Sequence, residues 1–155
     1  MRLVALSVLV LVAACGIPGI GSSPSPSPAT SSPSPTPAGL IFKLSAIKGG
    51  VKTTATGTIK VIAQAGQMTV ELKITGLPPA SVHVSHIHLG SCKNRGSIFR
   101  ALNQVVADGQ GTADTKSTVN ASYPPKKGTW YVVVHVGPDM QGSNSQYLLC
   151  GNLFK

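Results

Sequence analysis

From Leu40 onward, apolar and polar residues alternate with a period of two, the pattern of half-buried strands. It is plainest in Thr69-Val70-Glu71-Leu72-Lys73-Ile74, whose apolar members share one face. The pattern predicts strands over Leu40–Ile47, Val51–Ile62, Met68–Ile74, Val82–Leu89, Ala101–Val106, Gly111–Val119, Thr129–Val136 and Gln146–Leu149. Gly49-Gly50, Gly66, Gly76 with Pro78-Pro79, Gly109 to Gly111, and Pro124-Pro125 fall between them as turn residues. No helical period appears, and the polar stretch Gln141–Ser145 reads as loop. Strands at this spacing argue for an all-β sandwich or barrel. Its expected core is aliphatic, built from Ile41, Ile59, Val61, Val70, Leu72, Ile74, Ile87 and Val132–Val134.

The first 38 residues follow other rules. Residues 1–14 carry Arg2 and then a twelve-residue apolar run from Leu3 to Ala14. That run is too short to span a membrane and reads as a secretory signal. It ends Val12-Ala13-Ala14-Cys15-Gly16, small residues abutting a cysteine, and so resembles the bacterial lipobox, in which the cysteine is lipidated. Acyl chains on Cys15 would tether a domain without a spanning helix. Residues 22–38 hold six Pro, nine Ser/Thr and two Ala. Such a segment buries too little apolar area to offset ordering entropy, and Ser-Pro alternation favours polyproline II. The expected layout is a lipoprotein signal (1–14), a lipidated Cys15 with a Pro/Ser-rich disordered stalk (15–38) and one β-domain (39–155). That layout predicts a membrane-anchored lipoprotein of the bacterial cell envelope, on the extracytoplasmic or periplasmic side.

Charge and cysteine count sharpen this picture. The chain has 13 Lys+Arg against 4 Asp+Glu. A tethered extracytoplasmic domain has no nucleic acid to meet, so the basic balance points to small anions or an anionic surface. With Cys15 assigned to lipid, Cys92 and Cys150 remain and have one pairing, a disulfide expected in an oxidising compartment.

The chain has four histidines, His83, His86, His88 and His135. On a strand, residues two apart share a face, so His86 and His88 point the same way and suit a common metal ion. His83 stands at an odd offset from both and points to the other face. His135 ends the apolar run Trp130-Tyr131-Val132-Val133-Val134-His135.

Here the residues resemble the copper/zinc superoxide dismutases. Gly57-Thr58-Ile59, then Ile74-Thr75-Gly76-Leu77-Pro78, then His83-Val84-Ser85-His86-Ile87-His88 follow that family's order. So do Leu102 to Asp108, Gly111-Thr112-Ala113-Asp114, Val133-Val134-His135 with Asp139 and Gly142, and Leu149-Cys150-Gly151. The resemblance implies a Greek-key β-sandwich of about eight strands. It implies copper held by His86, His88 and His135, a bracing role for His83, a carboxylate at Asp139 that fixes the ligand imidazoles, and a Cys92–Cys150 disulfide. Departures are equally clear. The thirteen residues between His88 and Leu102 include no His or Asp, so the bridging histidine and the zinc ligands of that family are missing. Tyr147 stands where the family keeps an anion-guiding arginine, and Val84 where it keeps a glycine.

Three histidines suit one copper ion and no zinc of the family type. The expected function is a lipid-anchored, superoxide dismutase-like copper domain with residual superoxide dismutation. Its alternatives are a non-enzymatic lipoprotein exchanging copper with a donor or acceptor, and a metal-free structural sandwich. Arg95 and Arg100 follow the histidine pair and are the candidates to draw in an anion. Met140, five residues after His135, is a candidate soft ligand for Cu(I).

Overall fold

A computed structural model describes residues 38–155, all within one compact unit. The signal, Cys15 and almost all of the stalk lie outside the described residues. Ten strands form: β1 (Leu40–Ala46), β2 (Thr56–Gln64), β3 (Gln67–Thr75), β4 (Val82–His83), β5 (Ser85–Gly90), β6 (Arg95–Ala101), β7 (Val105–Val106), β8 (Ala113–Val119), β9 (Trp130–His135) and β10 (Tyr147–Asn152). Eight of them make one antiparallel sheet in the order β6-β5-β9-β10-β1-β2-β3-β8, while β4 and β7 pair separately. The sheet curls around its apolar face. Its two ends approach through the segment after β6, where Asn103 bonds the Ser117 hydroxyl at 2.8 Å and the Lys116 carbonyl at 2.7 Å. The all-β sandwich or barrel expected from the sequence is the architecture found.

Alternation becomes packing through register. Ile59 pairs with Leu72, which pairs with Thr115, and Val61 pairs with Val70, which pairs with Ser117. Directly opposed residues share a face, so these rungs point inward together. In β8 the inward set is Ala113, Thr115, Ser117 and Val119, and the intervening residues are exposed. β9 differs, because all six of its residues are buried. Val132 and Val134 join the main core, whereas Tyr131 and Val133 pack on the outer face with Cys150, Cys92, Ile47 and Tyr147. The Cys92–Cys150 disulfide forms and pins the β5–β6 turn over that outer face. Closing its 58-residue separation contributes about 4 kcal/mol in the chain-entropy account.

Several local expectations are corrected. Ile41 is 64% exposed, because Phe42 and Leu44 are the inward residues of β1. Val133 belongs to the outer cluster and not to the main core. The second strand starts at Thr56 instead of Val51. The region expected as one strand, Ala101–Val106, splits: Ala101 ends β6, and Val105–Val106 turns away to pair with β4. Gly142–Ser145, read as loop, is a short 3₁₀ turn.

Burial sets the scale of mutational effects. Replacing Ile59, fully buried between β1 and β3, with Ala should cost about 2–5 kcal/mol in urea unfolding. Ile41→Ala, on the exposed face, should stay within about 0.5 kcal/mol.

Candidate metal centre

The β5–β9 pairing builds the site. His86 lies opposite Val133 and His88 opposite Tyr131, so both imidazoles project on the outer face, while Ile87 between them enters the core. His135 is two residues beyond Val133 and therefore on the same face. Its backbone N–H donates to the Val84 carbonyl at 2.9 Å, continuing the ladder past the last paired rung. Three histidines separated by up to 49 positions thus meet, with one ligand nitrogen from each lying within 4.8 Å of the others. The expected spacing for ligation is about 3–4 Å. At that outer limit a point equidistant from the three nitrogens lies about 2.8 Å from each, so bonds near 2.1 Å ask each ring to move inward by no more than about 0.7 Å.

Neighbouring carbonyls fix the rings. The Nδ1–H of His88 donates to the Gly96 carbonyl at 3.1 Å, and that of His135 to the Ser145 carbonyl at 2.7 Å. Each bond leaves Nε2 as the nitrogen with the free lone pair, the usual way a protein sets a ligand tautomer. His88 Nε2, His135 Nε2 and His86 Nδ1 are buried and have no hydrogen-bond partner. Gly96 brings its carbonyl there because an added Cβ would overlap the Leu89 carbonyl, so only glycine lets β6 approach β5 this closely.

Burial also keeps the imidazoles neutral. His86 is lowered to about 4, first by burial and then by repulsion from His135 and His88. His88 is lowered by burial, against the opposing bond to Gly96. His135 is lowered by burial, with the Ser145 carbonyl opposing and His88 adding to the shift. At neutral pH all three offer lone pairs.

The remaining predicted residues take varied places. His83 is 2% exposed and points away from the trio; its Nδ1 bonds the His135 carbonyl at 2.9 Å and its Nε2 the Ser81 hydroxyl at 2.8 Å. Asp139 does not touch an imidazole. Its Oδ1 accepts from the Gln141 N–H at 2.9 Å and from Asn144 Nδ2 at 3.0 Å, bonds that hold its carboxyl below the usual range. The bonds that orient His88 and His135 come from the Gly96 and Ser145 carbonyls, while those of Asp139 stay within its own turn. Arg95 lies over the Tyr147 ring at 4.7 Å. Arg100 pairs across the sheet with Ile87, on the face opposite His86, and its Nη1 donates to the Phe99 carbonyl at 2.8 Å. It therefore does not face the trio. Met140 is 42% exposed on its loop.

Sequence reasoning missed Tyr147 and Tyr131 as walls of the site. The Tyr147 hydroxyl lies 3.2 Å from that of Tyr131 and 3.4 Å from His88 Nδ1. Burial and the Tyr131 hydrogen bond raise its pKa, so it stays a phenol. Strand parity groups Tyr147 with Leu149, but a bulge between them turns Leu149 into the core and Tyr147 outward. A bulge leaves no reliable mark in a single sequence. Behind Tyr147 lies a cavity of about 540 Å³, lined by Arg95, Ser145, Gln146 and the Gly49–Val51 loop.

The fold and site together define a disulfide-braced β-sandwich or barrel with a histidine cluster on the outer face of its central strands. Residues 42–139 match the family model described as the CHRD domain, and the chain belongs to that family. No curated protein matches it. This corrects the resemblance to copper/zinc superoxide dismutases, since the CHRD domain is a distinct β-sandwich family. The words that carried the resemblance, such as Gly57-Thr58-Ile59 and Val133-Val134-His135, are short strand and turn sequences that an aliphatic β-sandwich reuses. All four histidines fall inside the matched span, and β10 with Tyr147 and Cys150 falls outside it.

The depressed pKa of His86 has a testable sign. As pH falls from about 6.5, the unfolded chain takes up this proton before the folded one. Stability present above pH 6.5 is therefore lost as the pH approaches about 4. In the metal-free domain, NMR titration should show the His86 imidazole neutral until about pH 4, and urea midpoints should fall across the same window.

Proposed function

We propose that this chain is a metal-binding domain that holds one copper ion through His86 Nδ1, His88 Nε2 and His135 Nε2, and that it exchanges or stores the ion. The observation carrying this proposal is the set of three buried nitrogens without hydrogen-bond partners, facing one another from neighbouring strands. Buried polar atoms are almost always paired, and three exceptions in one place ask for a common partner. Since the lone pairs are neutral and convergent, that partner is a cation.

The donor set supports copper. Among the described residues the cluster has three members, all histidine, with no cysteine or carboxylate in it. Structural zinc takes four protein ligands, and catalytic zinc completes three with water. Three convergent imidazole nitrogens shielded from solvent suit Cu(I), which accepts three ligands, and imidazole is a favoured ligand for copper. Tyr147 is close by but stays protonated and bonded to Tyr131, so it supplies no anionic oxygen.

For location, the apolar run Leu3–Ala14 and the small residues before Cys15 support export and lipid attachment in the cell envelope. The disulfide fits the same oxidising compartment.

Titration of the metal-free domain with Cu(I), under competition from a chelator of known affinity, should give one equivalent bound. The double variant His86→Ala, His135→Ala should bind none with comparable strength. A wild type that takes up no copper, or a variant that binds as well, would end this proposal. Loaded wild type and double variant should consume superoxide at equal rates if the domain only carries the ion. Separately, Cys15→Ser should move the protein from the membrane fraction to the soluble one and remove the mass of the acyl chains.

A further inference from the structure

An open groove of about 830 Å³ lies on the outer face of β1 and β10 beside the disulfide, and no histidine lines it. Lys43, Lys48, Lys93, Arg95 and Lys155 line it, and no acidic residue does. The four carboxylates are all committed elsewhere. Glu71 pairs with Lys60 at 3.8 Å and Lys116 at 3.3 Å, and Asp114 with Lys73 at 2.8 Å, on β2, β3 and β8. Asp108 accepts the backbone N–H groups of Gln110 and Thr112, and Asp139 that of Gln141. None of the five groove cations has an ion-pair partner among the described residues.

Apolar side chains project from the same surface. Ile41 is 64% exposed and Phe154 is 39% exposed. Apolar tips ringed by lysines are the form of a surface that rests on an anionic bilayer, with tips among the acyl boundary and ammonium groups at the phosphates. The chain also enters the domain here, since Ile41 lies three residues after Ala38, where the stalk ends. A stalk of about seventeen residues, about 50 Å if extended, would hold the domain within reach of the membrane carrying its lipid.

We infer that the groove face of β1 and β10, with Ile41 and Phe154 at its tips and five cations around them, docks the domain on anionic phospholipid. The inference is independent of copper, because no metal ligand takes part.

Vesicle co-sedimentation of the domain from residue 38 onward, without the lipidated cysteine, tests it. The probes are vesicles of phosphatidylcholine containing phosphatidylglycerol, against pure phosphatidylcholine. Binding is expected to the first and not to the second, weakening as salt rises. Lys43→Gln with Lys48→Gln should weaken it about 25-fold, from roughly fivefold per charge at an anionic surface. Ile41→Asp should abolish it; the exposed site keeps the fold, checked by an unchanged urea midpoint. Lys126→Gln with Lys127→Gln, outside the groove, should have a much smaller effect. Absence of binding to anionic vesicles, full binding by Ile41→Asp, or equal losses from the two lysine pairs would overturn the inference. So would capture of soluble polyglutamate through Ile41 in place of vesicles.

Discussion

The antiparallel contact of β5 with β9 is the constraint on which the rest depends. Its register sets Ser85 against Val134 and Leu89 against Trp130, and a shift of one residue would turn His86 and His88 into the barrel and Ile87 out of it. The register is held from both sides. On the inner face Ile87, Val132 and Val134 are fully buried in the main core. On the outer face the disulfide between Cys92 and Cys150 closes a second apolar cluster over Tyr131 and Val133. A strand buried on both faces is expensive to slide, so the register that sets the histidines on one face is held by the core.

The cluster is also an electrostatic compromise. Burying three imidazoles would be costly if they were charged, and burial therefore keeps them neutral. Two of them recover part of the cost by donating Nδ1–H to carbonyls, and their other nitrogens are left bare. Bare nitrogens are a liability in a metal-free interior and an asset beside a cation. His83 shows the contrast, since both its nitrogens are bonded and it braces the strand end as an ordinary structural histidine.

Family membership and site chemistry answer different questions. The CHRD domain match fixes the kind of fold to which residues 42–139 belong. It assigns no activity to the three imidazoles, and sites are argued from their own geometry. The correction of the superoxide dismutase resemblance removes a ready-made mechanism. It leaves the convergence of His86, His88 and His135 untouched, because that rests on register and not on ancestry.

The sequence by itself determined the all-β class, the facing of His86 with His88 and the opposite facing of His83. Period-two alternation is a local property, and residues two apart on a strand share a face wherever the strand lies. It also determined the sole pairing open to Cys92 and Cys150 once Cys15 is set aside. The tertiary structure decided what each face meets. It brought His135 to the pair, gave ring orientation to the Gly96 and Ser145 carbonyls instead of Asp139, and used the bulge before Leu149 to set Tyr147 beside His88. It likewise put Ile41 outside, gathered five cations along one groove and turned Arg100 away from the site. These outcomes depend on which distant strands become neighbours and where a ladder slips by one residue, and neither is encoded in the spacing of residues within a single strand.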